Sequence, residues 1–504
     1  MTTTAAHQPP SAAATPAPVS LTREGESILF PELPFDMHDR SARAVDNPAL
    51  VEAIEKATYA KVHAREAACD QAFGDRYEAM RRLGERIKQH TLDHLDHYLD
   101  RFIDNAEASG ARVHFAADGD EANAIAVDIA RREGARTCVK SKSMVTEETH
   151  LLDALTEAGV ETLETDLGEF ILQIDHDAPS HIVTPMIHKD RKAVARAFQR
   201  ELGVEYTEDA ERLTMIAREH LRDKYRRADL GVSGGNFLVA STGSLVLCTN
   251  EGNATFCTAK PRVHVAFVGV EKLVPNFENT AVLLKLLARS STGQPLTVYT
   301  DVITGPRRDH EHDGPDKLHI VLVDNGRSGI LADEQMHSTL RCIRCGACLN
   351  ACPVYRKVSG HSYGAVYSGP IGALVTPLLR GLANYQHLPH ASSLCGACFE
   401  ACPVRIDIPR QLVELRNRIN GANLAGWAER MVFRAYASSL KGRRRYTLAN
   451  ALQKPVLRAM ADRDGFVRSL PGPVKGWTSV RDMPAPAPRS FRQWWKREHG
   501  DAPS

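Results

Sequence analysis

Apolar residues recur at helical spacing through residues 47–108, at Leu83, Ile87, Leu92, Leu95, Leu99 and Ile103. Asn47-Pro48 supplies a start signal, with proline in the first turn. From about residue 111 the period shortens and begins to alternate. ARVHF (111–115) reads as a strand and 120–133 as a helix; TCVK (137–140) reads as a strand and 147–158 as a helix. Gly159 closes that helix, and VETLE (160–164) reads as the next strand. This β-α-β-α rhythm predicts a mainly parallel sheet covered by helices.

A helical region, 190–227, follows. NFLVASTGSLVLCT (236–249) reads as a hairpin, and VHVAFVGV (263–270), LTVYT (296–300) and LHIVLVD (318–324) as further strands. Together 80–325 predicts one α/β domain, preceded by a helical lead-in over 45–108 and large enough for its own core. Residues 331–412 hold two tight cysteine groups joined by a Gly- and Pro-rich linker. Residues 413–504 are helical and basic, turn Pro-rich from about 471, and end in a short predicted helix, QWWKREHG (493–500). Residues 1–22 are mostly Ala, Thr and Pro, a composition that predicts disorder.

Charge excludes little and suggests little. Lys and Arg number 63 and Asp and Glu 62, so no global field attracts nucleic acid or an anionic membrane. Basic clusters such as Arg443-Arg444-Arg445 read as a solvated surface. No run of about 18 apolar residues exists, so no membrane span is predicted. The N-terminus lacks the basic and apolar regions of a secretory signal, which makes a cytoplasmic location the expectation.

The cysteines change the picture. Seven of the 11 fall between Cys342 and Cys402, and such clustering points to metal rather than disulfides. Cys69, Cys138, Cys248 and Cys257 are scattered and read as small buried hydrophobes. The first group, Cys342-x2-Cys345-x2-Cys348-x3-Cys352-Pro353, has the spacing of bacterial ferredoxins. Three thiolates two residues apart can wrap one cubane, while the fourth, turned away by its proline, serves a second cluster. Structural zinc prefers paired C-x2-C units instead. The second group, Cys395-x2-Cys398-x3-Cys402-Pro403, repeats the motif without its first cysteine, and Ser392 stands in that place.

Crossed ligation then assigns Cys342, Cys345, Cys348 and Cys402 to one [4Fe-4S] cluster, and Cys352, Cys395 and Cys398 to another. The second cluster has only three Cys ligands. Two readings of the vacancy stand. Either Ser392, water or another side chain fills it and the cluster remains a relay, or the open iron acts as a Lewis acid on substrate. The long gap between Cys352 and Cys395 resembles the ferredoxin-type domains of succinate dehydrogenase and glycolate oxidase iron–sulfur subunits, which are relays.

The surrounding residues narrow this further. LRCIRCGACLNACPVYRKVSGHSYGAVYSGPIGAL (340–374) and SSLCGACFEACPVRIDI (392–408) resemble the lactate-utilization B iron–sulfur family. So do KSKSMVTEE (140–148), ETDLGEFILQ (164–173), PSHIVTPMIHK (179–189), GVSGGNF (231–237), TNEGNA (249–254), GVEKLVP (269–275) and DNGRS (324–328). The resemblance covers roughly 45–490. It implies an α/β lactate-utilization domain, similar in fold to sugar-phosphate isomerases and CoA transferases, followed by an α-helical ferredoxin-type domain with two [4Fe-4S] clusters. It implies work alongside two other lactate-utilization subunits in oxidising L-lactate to pyruvate, with a quinone or redox protein as acceptor and any membrane association made through partners. The seven cysteines match that family's cluster ligands, and the missing eighth is shared with it.

The α/β domain offers candidates of its own. GVSGGN (231–236) reads as a Gly-rich turn, with Gly234 and Gly235 in it, just after a predicted strand; its N–H groups could hold an anion, though it is no dinucleotide fingerprint. Glu251 closes a predicted strand, where α/β folds place ligands, and is by analogy with the CoA-transferase glutamate a candidate catalytic carboxylate. Lys140 and Lys142 are candidate attractors of an anionic substrate. His181 and His188 are candidate proton carriers. Each has a plainer reading as a capping, turn or hydrogen-bonded residue. No flavin or nicotinamide motif is present, which favours electron relay over autonomous catalysis on a hydroxy acid, and two cluster motifs favour it over a redox-sensing role, which needs only one.

Overall fold

The computed structural model describes residues 21–22, 26–472, 475–478 and 481–500. The disorder expected over 1–22 falls mostly outside them, but Leu21 is described and buried. The chain separates into two compact units, one reaching Ile419 and one beginning at Asn420.

Among its described residues the first unit contains ten strands: β1 (Arg112–Ala116), β2 (Thr137–Lys140), β3 (Glu161–Glu164), β4 (Leu230–Ser233), β5 (Phe237–Val239), β6 (Ser244–Thr249), β7 (Val263–Gly269), β8 (Leu273–Val274), β9 (Tyr299–Ile303) and β10 (Lys317–Val323). Six form a sheet in the order β1-β10-β7-β4-β2-β3, with every neighbouring pair parallel. Its central strand β7 is buried along its whole length, as a sheet covered on both faces demands. One face packs against the helix Gly119–Arg132, burying Ala122, Ala126 and Ile129. The other buries Phe102, Leu245, Val268 and Ile320. Asp118 caps the covering helix by accepting from the Glu121 N–H at 2.8 Å, a bond typically worth about 1 kcal/mol.

A second sheet, β8-β5-β6-β9, carries the expected hairpin as β5 and β6. Its inner face does not close on the α/β domain alone. Val239, Val246 and Val274 share one apolar core with Leu283, Leu340, Leu349, Leu374 and Leu412, so this sheet leads directly into the cysteine region.

Most expected strands lie within a residue or two of their observed limits. Four differences have physical causes. The helix expected over 147–158 breaks at His150, which adopts φ 60°, leaving Met144–Glu148 and Leu151–Glu157. The strand expected at 296–300 runs instead from Tyr299 to Ile303, set by antiparallel pairing with β6. Gly231 to Ser233, expected in a turn, are the strand β4; Gly234 follows, and a Cβ there would lie 2.7 Å from Ser143 Oγ. The glycine therefore permits close packing. The helix Phe277–Thr292, unread in the sequence, covers the core that joins the second sheet to the cysteines.

The second unit holds the helices Trp427–Leu440 and Arg443–Ala459, neither with a buried residue. A short ladder pairs β11 (Phe466–Val467) with β12 (Met483–Pro484). The expected terminal helix is Phe491–His499, closed by a capping box between Ser490 and Gln493.

Candidate metal centre

The two cysteine groups adopt one backbone twice, fifty positions apart. Arg344 and Leu394 both take positive φ, 60° and 54°, and so do Gly346 and Gly396, 73° and 87°. Each glycine opens a five-residue helix, Ala347–Ala351 or Ala397–Ala401, and each helix ends at a cysteine with extended backbone, Cys352 or Cys402. The proline after each cysteine prevents the helix from continuing. In this correspondence Cys342 matches Ser392. The Cys342 thiol accepts from the Arg344 N–H at 3.4 Å, and the Ser392 hydroxyl accepts from the Leu394 N–H at 3.1 Å.

Four thiols, Cys342, Cys345, Cys348 and Cys402, line a single cavity whose remaining wall is mainly apolar, with Ile182, Ile371 and Ile406 among its residues. Three of the four come from the first group and one from the second. Burial holds the Cys345 thiol far above the ordinary range, reinforced by Cys402 and Cys342. Cys348 is raised in the same way. The other three cysteines neighbour one another: burial pushes Cys398 up to about 12, with Cys352 and then Cys395 adding to it. Cys395 differs, being exposed and lowered chiefly by hydrogen bonds from Ser393 and from the Ala397 backbone. No cysteine is in a disulfide among the described residues. Buried, mutually repelling thiols around an apolar cavity form a donor set suited to a soft, thiophilic metal group.

Elements distant in sequence brace these loops. From the helix Tyr77–Asp93, Arg81 donates to the carbonyls of Cys402 at 2.9 Å and Phe399 at 2.6 Å. Glu85 of the same helix binds Arg341 at 2.5 Å and Arg405 at 2.9 Å, one residue beside each group. His181, expected as a proton carrier, packs against Gly346. It bonds Asn350 at 3.1 Å and accepts from the Val183 N–H at 3.0 Å. Burial, then Lys61 and Lys142, holds its ring down at about 3, which fixes it as a neutral hydrogen-bonding residue.

Beside Cys342 lies a network of buried charges that the sequence reading did not single out. Arg344 lies over the Tyr367 ring at 4.2 Å and faces Glu271 at 3.6 Å. Glu271 accepts from Arg327 at 2.7 Å, and Arg327 binds both oxygens of Glu148 at 2.9 Å. Tyr367 donates to Glu148 at 2.6 Å. Lys88 donates to the carbonyls of Glu271 and Leu273. Burial pushes Lys88 down to about 7 and Lys272 to about 8, while Glu271 and Cys342 oppose that fall in both. The signal was present but scattered: Glu148, Glu271 with Lys272, and Arg327 stand in three of the motifs quoted above.

The other candidates in the α/β domain fall into three places. Lys140 is buried and paired with Glu164 at 2.5 Å and Glu147 at 3.0 Å; burial works against its charge, but the two carboxylates outweigh it. Lys142 pairs with Glu169 at 2.7 Å. Glu251 follows β6 at the surface and accepts from the Leu167 N–H at 2.9 Å. Partial burial and then Asp166 push its carboxyl up to about 7, with Lys142 acting the other way. His188 lies elsewhere, bonded to Asp177 at 3.0 Å and edge-on to His361.

Comparison with known proteins agrees along the chain. Residues 99–323 match the LUD domain, 338–406 the 4Fe-4S dicluster domain, and 415–500 the C-terminal domain of lactate utilisation protein B. The chain is 45% identical to lactate utilization protein B of Shouchella clausii, over 83% of this chain and 88% of that protein. It is 44% identical to lactate utilization protein B of Anoxybacillus flavithermus, over 92% of this chain and 98% of that protein.

Proposed function

Because this chain belongs to the lactate utilization protein B family, and so has an iron–sulfur role in lactate utilization, we propose that it is the electron-transferring component of a multi-subunit complex that oxidises L-lactate to pyruvate. Two other lactate-utilization subunits are its partners, and a quinone or redox protein takes the electrons onward. The complex works on the cytoplasmic side. Among the described residues no helix is long and apolar enough to cross a membrane.

In this reading Cys342, Cys345, Cys348 and Cys402 hold one [4Fe-4S] cluster, and Cys352, Cys395 and Cys398 hold a second at three of its irons. The observation that carries it is the cavity whose only cysteine lining is the first four of these. When bound, such clusters take up and release single electrons. The protein's own residues set the conditions. The apolar wall excludes water from the first set, and Arg344 places positive charge beside Cys342, favouring added negative charge there, while Lys272 and Lys88, lowered to about 8 and about 7, add positive charge when protonated.

Anaerobic purification, iron and sulfide analysis and EPR test the proposal. About eight irons per chain, or seven with a three-iron signal, are expected, with no reduction by lactate alone. Zinc without sulfide would overturn it.

A second reading, autonomous action on a hydroxy acid, is favoured by Glu251. A carboxyl raised to about 7 suits a general base at neutral pH. Glu251→Ala then abolishes complex activity with the clusters intact; unchanged activity removes Glu251 from consideration.

A further inference from the structure

We propose that the C-terminal unit docks this chain on the anionic surface of a lipid bilayer. The net charge of +1 conceals a strong asymmetry. From Asn420 onward there are sixteen Lys and Arg against six Asp and Glu, a net of +10, so the rest of the chain carries −9. Arg434, Lys441, Arg443, Arg444 and Arg458 make no ion pair among the described residues. Segregation of this kind marks a surface built for a negatively charged partner.

The apolar side chains of this unit are as unusual as its charge. The helices Trp427–Leu440 and Arg443–Ala459 bury nothing, and leave Trp427, Phe433, Tyr436, Leu448, Leu452 and Val456 between 57% and 75% exposed. On the second helix Leu448, Leu452 and Val456 follow at four-residue intervals and share a face, while Arg443, Lys454 and Arg458 fall on the other side. All four tryptophans of the chain, Trp427, Trp477, Trp494 and Trp495, lie in this unit, and each is 43–75% exposed.

Charge alone would suit an acidic protein equally well. Tryptophan and arginine together favour the bilayer, because an indole sits at the headgroup boundary while guanidinium groups meet the phosphates. No helix here can span, so the unit lies on the membrane, with its apolar side chains in the headgroup–acyl boundary. The attachment holds whether or not the chain relays electrons.

Because every tryptophan is in this unit, tryptophan emission excited apart from tyrosine reports on it alone. The cluster-loaded full chain is mixed, at low salt, with phosphatidylcholine vesicles or with vesicles containing phosphatidylglycerol. A blue shift with the anionic vesicles, quenching by acyl-brominated lipid and reversal by high salt are expected. The variant R443S/R444S/R445S should bind them on the order of 100-fold more weakly, given about fivefold per basic residue near the surface. W427S/F433S should bind with diminished quenching. Iron content and circular dichroism check folding, and either variant suffices if the other fails. Absence of a shift with anionic vesicles, equal binding to neutral ones, or a response to polyglutamate without one to vesicles would each overturn the proposal.

Discussion

The two cysteine groups repeat one backbone in opposite surroundings. The first sits inside the largest apolar core, with Cys345 and Cys348 buried and a network of buried charges alongside, while the helix Tyr77–Asp93 braces both groups. The second keeps Cys398 and Cys402 inside but presents Cys395 to solvent, and has Ser392 where its counterpart has Cys342. Identical φ signs at corresponding positions show that local sequence sets the loop. The surroundings then decide whether a metal group held there is sealed or reachable. A sealed site keeps its cluster and an open one exchanges with solvent or a partner, so the two sets need not behave alike.

The largest effect separates them outright. On the proposed ligation, Cys348→Ser removes one of the four thiols that line the cavity in the shared core. Loss of about half the iron or more, with a large fall in thermal stability, is expected. Cys395→Ser alters an exposed position, and should cost only second-cluster iron while the melting temperature changes little. Iron analysis and calorimetry on both variants check this. Equal destabilisation by the two would mean that burial does not distinguish the groups.

Next in size is the charge network found only on the first side. Glu271→Ala leaves Arg327 and Arg344 buried without their shared carboxylate, and removing one partner of a buried pair costs about 3–5 kcal/mol. Denaturant unfolding measures it. The pH dependence follows the same group. Burial raises the Glu271 carboxyl, but Arg327, Lys272 and Arg344 outweigh that and hold it at about 2, below its ordinary value of 4.5. Its contribution is therefore complete above about pH 4.5 and lost as pH falls towards 2, and Glu271→Ala should flatten stability over that window. A pH profile unchanged by the substitution would dissociate Glu271 from the acid sensitivity.

A smaller change acts on the second side alone. If Ser392 is the vacant counterpart of Cys342, Ser392→Cys completes the set. The variant should retain second-cluster iron several-fold longer in air, followed by EPR for the three-iron signal. Iron loss as rapid as in the unaltered chain would place the vacancy elsewhere.

What the sequence disclosed, and what it withheld, follows the same division between local and distant. Strands β2 and β7 were legible because short, mostly apolar runs that contain valine stand between turn residues. The cysteine loops were legible because their spacing is itself the geometry. Strand β4 was masked by its glycine, and β9 was displaced because its exposure does not alternate, with Tyr299 and Val302 exposed and the residues between them half-buried. The network around Glu271 was illegible for a different reason. Arg327 meets Glu271 across 56 positions and Glu148 across 179, and no periodicity links charges so far apart. Lys140 misled because a lysine that ends a strand looks exposed, whereas its carboxylate partners are set by the adjoining strand β3 and the helix Met144–Glu148.

The finest probe uses the glycine that both groups carry at the same place. Gly346 and Gly396 both adopt left-handed φ, so alanine at either is strained by about 1 kcal/mol. Beyond that shared cost the sites diverge. A Cβ on Gly396 meets nothing within 4 Å, whereas one on Gly346 lies 3.1 Å from His181 Cε1 and 3.2 Å from Val183. His181 cannot readily withdraw, because Asn350 and the Val183 and Thr184 N–H groups hold its ring. Gly396→Ala should therefore lose only the backbone term, and Gly346→Ala that term plus a steric one. Paired denaturant titrations resolve the difference. Equal losses would mean that the His181 ring yields to the added methyl, and that the first loop is less tightly enclosed than its burial suggests.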